Sequence, residues 1–155
     1  MKILIYGKTA SGKSTLAKKI SEITGMQVHS MGELFRTENK GDLTKTAEDM
    51  LREDLNCNMK YIYQKFNGDF DNVIYEGFRN PIEFSKLLDS NCIIIRLNHT
   101  ELPYKDKFEK EGIELIDAVV RFAEKRASFI FKNFSYSQYE ELKWIEDFVE
   151  LLVRE

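Results

Sequence analysis

The chain has 155 residues, the size of one folding unit, and at that length it buries roughly 70% of its unfolded surface without disulfides or a structural metal. Apolar residues at 43%, charged residues at 32%, 2 Pro and 8 Gly exclude a disordered, collagen-like or low-complexity protein. The 23 Lys+Arg against 26 Asp+Glu leave a net charge of −3, which argues against a strongly basic duplex-binding face without excluding a nucleic-acid partner, and leaves room for a local basic pocket. Cys57 and Cys92 are too few and too far apart for a disulfide framework or a zinc site, and are expected as free thiols. No run reaches the ~18–20 apolar residues of a membrane span. The start Ile3-Leu4-Ile5-Tyr6 ends at Gly7-Lys8, too short for a signal-peptide core. The expectation is a cytoplasmic protein, a monomer or homodimer without a membrane partner.

In chain order, short apolar runs alternate with longer segments of helical spacing. Lys2 to Tyr6, Met26 to Ser30, Asn72 to Tyr75, Cys92 to Leu97 and Phe129 to Phe131 read as strands buried on both faces. Ser14 to Ile23 carries Leu16, Ala17, Ile20 and Ile23 on one helical face, and Ala47 to Phe66 reads as one long amphipathic helix. Ser30-Met31-Gly32-Glu33 and Ser137-Gln138-Tyr139-Glu140 have capping-box spacing, and Asn80-Pro81 places proline at a first helical position. Tyr139 to Val153 closes the chain as a helix, with Trp144 packed on the sheet. The polar stretch His99 to Gly112 reads as a mobile insert. Strict alternation of this kind implies right-handed crossovers and a parallel sheet covered on both faces. The expected fold is therefore α/β, a three-layer α/β/α domain over residues 1–155 with a five-stranded parallel sheet.

The chemistry is carried by Gly7-Lys8-Thr9-Ala10-Ser11-Gly12-Lys13-Ser14, a full match to G-x-x-x-x-G-K-[ST] between a strand and a helix. Gly7 and Gly12 let the backbone curl so that successive N–H groups face phosphate oxygens, and the helix begun at Lys13 adds its positive dipole end. Lys13 reaches the β- and γ-phosphates and the Ser14 hydroxyl can ligate Mg²⁺. ATP is the expected donor, held by Gly7, Thr9, Ala10, Ser11, Gly12, Lys13, Ser14 and Thr15. Glu76, at the end of a neighbouring strand, is the expected second Mg²⁺ ligand. His29 and His99 have no nucleophile or base at readable spacing and are expected to be structural.

With these segments in hand, the chain resembles the P-loop nucleoside monophosphate kinases, the group of adenylate kinase. The resemblance rests on Gly7 to Thr15, on His29-Ser30-Met31-Gly32-Glu33-Leu34-Phe35-Arg36, and on Tyr75-Glu76-Gly77-Phe78-Arg79-Asn80-Pro81. The last is also similar to the Asp-Gly-x-Arg-x-Pro-x-Glu form of dephospho-CoA-kinase-like relatives. Lys132-Asn133-Phe134-Ser135 through Glu141-Leu142 resembles their final strand and helix. The resemblance implies an acceptor-binding arm over about 31–70 and a small lid over about 99–126. It gives Arg36 and Arg79 the role of acceptor-phosphate clamps and puts Arg121 and Arg126 among the candidate catalytic lid residues. Glu76 stands where the group usually has Asp, and Arg121 and Arg126 lie five apart, which does not share a helical face. Base recognition is expected on the arm's helix, among Asp49, Arg52, Glu53, Asn56, Asn58 and Tyr63.

Apart from any family, two guanidinium groups beside a phosphate cradle suit an acceptor that already carries phosphate, since they bind it bidentately and offset its repulsion from the donor. The expected activity is ATP·Mg²⁺-dependent phosphoryl transfer to a small nucleotide, a nucleoside or deoxynucleoside monophosphate. Two alternatives stay open at this point. One is another acceptor, dephospho-CoA or a hydroxyl of a nucleic-acid end or modified base. The other is a nucleotide-binding regulatory module without turnover.

Overall fold

The five expected strands form one sheet in the order β2-β3-β1-β4-β5, every neighbouring pair parallel. The computed structural model describes residues 1–38, 41 and 43–136. β1 (Lys2–Gly7), β2 (Gln27–Ser30), β3 (Val73–Glu76), β4 (Cys92–His99) and β5 (Ile130–Tyr136) lie within a few residues of the apolar runs. All six positions of β1 are buried, because a central parallel strand has side chains packed against helices on both sides. Leu4 and Tyr6 point to one face and join Phe84, Leu87, Ile113, Ile116 and Val120; Ile3 and Ile5 point to the other and join Leu16, Ala17 and Ile20. Truncating one of these fully buried chains, Ile94→Ala for example, is expected to cost about 2–5 kcal/mol. The three layers are thus helix α1 (Lys13–Thr24) on one face, the sheet, and helices α5 (Pro81–Leu87) and α6 (Lys107–Glu124) on the other.

Four details differ from the sequence reading. The segment Ala47 to Phe66 is two helices, α3 (Leu43–Glu53) and α4 (Cys57–Lys65). Asp54 breaks it: its side chain accepts from Asn56 N at 2.9 Å and its carbonyl accepts from Cys57 N at 3.2 Å, a local bonding pattern that competes with the helix ladder. Leu55 consequently turns outward, 52% exposed. Helix α2 (Glu33–Thr37) is capped by Gly32 rather than Ser30, whose hydroxyl instead accepts from Arg36. Ile23 leaves the apolar face of α1 and is exposed. Finally, α6 begins inside the stretch expected to be a mobile insert. Asp106 caps it, accepting from Glu109 N at 2.8 Å, and its stripe Ile113, Ile116 and Val120 is core. Only the preceding loop, 100–106, remains outside regular structure. The closing helix Tyr139 to Val153, its Ser137 cap and Trp144 lie outside the described residues.

The middle of α6 is pinned to the sheet. Asp117 accepts from the Tyr6 hydroxyl and from Arg96, through Nε at 2.8 Å and Nη2 at 3.1 Å. A close backbone approach adds to this: a Cβ at Gly112 would sit 2.4 Å from the Arg79 carbonyl oxygen, so only glycine lets α6 lie against the loop after β3.

Candidate active site

The C-terminal edges of β1, β2 and β3 open into a cleft of about 340 Å³. A parallel sheet places ligands there, at the edge where helix N-termini converge. β1 runs into the phosphate loop. A Cβ at Gly7 would fall 2.3 Å from the Leu97 carbonyl oxygen, and Gly12 caps α1 at φ 89°. Ala10 also holds a left-handed conformation at φ 66°, local strain carried by the loop. Lys13 Nζ folds back on the loop, donating to the carbonyls of Gly7 at 3.0 Å and Lys8 at 2.6 Å. Burial, ahead of the opposing pull of Glu76 and Glu109, holds its ammonium below the ordinary lysine value. Ser14 Oγ donates to Glu76 Oε1 at 3.4 Å. Registry explains the meeting: Glu76 pairs with Ile5 across β3–β1, two residues before the loop opens.

The other end of the cleft is made by α2, α3 and the loop after β3. Arg36 and Arg79 both line it, with Phe35, Leu51 and Phe78 supplying apolar wall. Arg36 Nη2 donates to Ser30 Oγ at 2.9 Å. Among the described residues neither arginine has an ion-pair partner, because Glu33 is taken by Lys65 at 2.9 Å and by the Tyr61 hydroxyl at 2.8 Å.

The structure therefore brings Gly7, Thr9, Ala10, Lys13, Ser14, Arg36, Glu76 and Arg79 into one cleft. Ser11 packs beneath the loop, fully buried, while Gly12 and Thr15 support it without lining the cleft. Arg121 and Arg126 are not brought there. A crossover helix runs back against the strand direction, so these residues lie about 18 Å or more along α6 from Glu109. Arg121 is exposed, and the Arg126 guanidinium lies 3.8 Å from the Phe122 ring. His29 is buried among Tyr61, Phe66 and Tyr75; burial first, then Lys65, pushes it down to about 4, which keeps the ring neutral.

Residues 6–78 match a family model described as an AAA domain. Over 134 residues the chain is 33% identical to a cytidylate kinase of Thermoplasma volcanium, an alignment that covers 83% of this chain and 70% of that protein. The chain belongs to the small P-loop kinases of the nucleoside monophosphate kinase group. Two shikimate kinases share its fold. The Acinetobacter baumannii enzyme, in complex with shikimate, matches at TM-score 0.60 and 11% identity, covering 99% of this chain and 93% of that one. The Aquifex aeolicus enzyme matches at 0.55 and 16%, covering 99% and 94%. None of this kinase's described helices is long and apolar enough to cross a membrane.

Sequence reasoning gave no role to two residues that line this kinase's cleft, Glu109 and Glu83. Glu109, 5% exposed, reaches from the first turn of α6 onto the phosphate loop, where it accepts from Thr9 N, from Thr9 Oγ1 at 2.6 Å and from Lys105 N. Lys8 completes the contact, donating to the Leu102 carbonyl at 2.8 Å with its ammonium 4.9 Å from the Tyr104 ring. Loop 100–106 is thereby fastened over the phosphate loop. The available signal was Asp106-x-x-Glu109, a capping spacing inside the supposed insert. Glu83, 2% exposed, lines the cleft from the first turn of α5 and accepts from Asn58 Nδ2 at 3.3 Å. Of the six residues expected to read the base, Asn58 alone is buried; Asp49, Arg52, Glu53, Asn56 and Tyr63 are exposed and do not line the cleft.

Proposed function

We propose that this kinase transfers the γ-phosphoryl group of ATP to a nucleoside monophosphate. The observation that carries the reading is two guanidinium groups, Arg36 and Arg79, without ion-pair partners among the described residues and in one cleft with Lys13 and Ser14. An acceptor phosphate needs that positive charge to approach a donor phosphate. A neutral hydroxyl acceptor does not.

In this reading the loop N–H groups and Lys13, once released from the Gly7 and Lys8 carbonyls, hold the donor's β- and γ-phosphates. Arg36 and Arg79 hold the acceptor phosphate, one oxygen of which attacks the γ-phosphorus in line. The bond from that phosphorus to the β–γ bridging oxygen breaks, leaving ADP and a nucleoside diphosphate. Ser14 Oγ and Glu76 would hold Mg²⁺ together with phosphate oxygens and water. Their chemistry fits: two hard oxygen donors 3.4 Å apart, and no cluster of three carboxylate, His or Cys ligands among the described residues, suit a cation that keeps most of its waters. When bound it supplies charge neutralisation on the bridged phosphates. Residues 31–70 serve as the acceptor arm. Within 99–126, closure is the work of the loop before α6, since the helix itself is pinned. Arg121 and Arg126 have no part in this assignment.

The test is ADP formation from ATP·Mg²⁺ against a panel of ribo- and deoxynucleoside monophosphates, dephospho-CoA and a polynucleotide end, with Lys13→Ala as blank. Strong stimulation by one or more monophosphates, absent in the blank, is expected. ATP binding without stimulation by any of them overturns the reading, and stimulation by dephospho-CoA or the polynucleotide alone replaces it.

A further inference from the structure

Helix α6 buries Ile113, Ile116 and Val120 in the core, yet its outer side is also apolar. Leu115 is 53% exposed and Phe122 60%, with Ala118 exposed between them. Counting Glu111 before and Lys125 after, these residues recur at intervals of four, three, four and three, the spacing that lines one straight side of a helix against another helix. The Phe122 ring is held in place, since the Arg126 guanidinium lies 3.8 Å from its centroid. Beside Leu115 the face deepens into a groove of about 430 Å³ walled by Phe108, Pro81 and, from the turn after α3, Leu55. Packing within the chain does not account for this stripe.

The charges on the face decide what fits it. Its N-terminal half carries Glu111 and Glu114, and its C-terminal half carries Arg121 and Lys125, all exposed. Among the described residues Glu114, Arg121 and Lys125 have no ion-pair partner, and Glu111 has only Lys107, at 3.7 Å in an exposed pair that contributes little. Lys110 lies at the margin, about 80° around the helix from Ala118. A face acidic at one end and basic at the other repels a parallel copy of itself and attracts an antiparallel one.

We infer that this face is a homodimer interface, in which α6 lies antiparallel against α6 of a second copy about a two-fold axis at Ala118. The symmetry sets residues equally far before and after Ala118 against each other. Ala118, the smallest side chain of the stripe, meets its own copy and lets the helices close to about 8–10 Å. Leu115 meets the partner's Phe122, whose ring enters the groove beside Leu55. Glu114 meets the partner's Arg121 along one flank, and Glu111 meets the partner's Lys125. Every contact occurs twice, as a two-fold interface requires. An 18-residue helix is about 27 Å long. With the groove filled, the interface reaches the low end of specific ones, about 1,000–1,200 Å², which suits a weak and reversible dimer. The groove and the cleft share Arg79 and Leu51 as walls, so the partner's Phe122 docks next to the acceptor end. The interface stands whatever the acceptor is.

The experiment is sedimentation equilibrium of the full-length chain from about 2 to 200 µM, with circular dichroism to check the fold of each variant. The wild type should dimerise with a Kd of about 1–50 µM. Glu114→Arg and Arg121→Glu should each weaken the dimer about tenfold or more, because each sets like charges together twice. The double variant, which exchanges the two charges, should return to within about threefold of the wild type. Phe122→Ser should weaken the dimer about thirtyfold or more. These side chains are exposed, so the fold is expected to survive all the changes. A wild type still monomeric at the highest concentration overturns the inference, whether residues 137–155 or solvent cover the face. A dimer indifferent to any single change, or not restored by the double one, overturns it as well. Neither result touches the kinase reading, which stands or falls on turnover of a monophosphate.

Discussion

The two ends of the cleft are built from different material. The donor end is backbone: a loop whose shape is set by Gly7 and Gly12 and whose charged side chains already have partners, Lys13 on two carbonyls and Glu109 on Thr9. The acceptor end is side chains from α2, α3, α5 and the loop after β3; Glu83 Oε1 has no hydrogen-bond partner, and Arg36 and Arg79 have no ion-pair partner among the described residues. A backbone cradle serves every chain that carries it, so it must be self-consistent when empty. A pocket that chooses one acceptor must hold back the bonds by which it chooses.

That contrast is broken most strongly at Lys13. Lys13→Ala should lower kcat by about 10³-fold or more with the fold retained, checked by single-turnover kinetics and circular dichroism. The next effect concerns stability at the acceptor end. The folded state holds the Glu83 proton up to about pH 7, whereas the unfolded chain releases it near 4.5. Between those values the folded state binds more protons, so stability is full below 4.5 and falls as pH rises through 7. The wild type should therefore lose about 3 kcal/mol relative to Glu83→Gln between pH 4.5 and 8, read by urea unfolding of both proteins. Arg36→Ala and Arg79→Ala should each raise the acceptor KM about 10- to 100-fold, with ATP affinity nearly unchanged by calorimetry. Smallest is Glu109→Gln. It keeps an acceptor for Thr9 but removes a negative charge beside the donor phosphates, so ATP binding should tighten about 2- to 5-fold, ADP binding less, and the gain should shrink with salt.

Legibility in the sequence followed the same division. Parallel strands buried on both faces advertise themselves as apolar runs, and all five stood out. The phosphate loop was legible because its backbone can be made only with glycine where Gly7 meets Leu97. The contact of Glu83 with Asn58 was not, because it depends on α4 folding back onto α5 after Asp54 breaks the helix. Glu109 was hidden by polarity: Lys107 to Gly112 reads as solvent-facing until α6 is placed with its N-terminus on the loop. Arg121 and Arg126, chosen by residue type within an expected lid, lie outside the cleft because of helix direction. A crossover helix that begins at the site must end away from it.

The Asp117 knot has one more consequence. Tyr6 and Arg96 hold α6 at its middle and Gly112 seats it against Arg79, while loop 100–106 meets the phosphate loop at Lys8 and, through Glu109, at Thr9. That loop is an exchangeable cassette. Its sequence can diverge, or be rewritten by an engineer, to retune how fast nucleotides enter and leave while the scaffold beneath it stays the same.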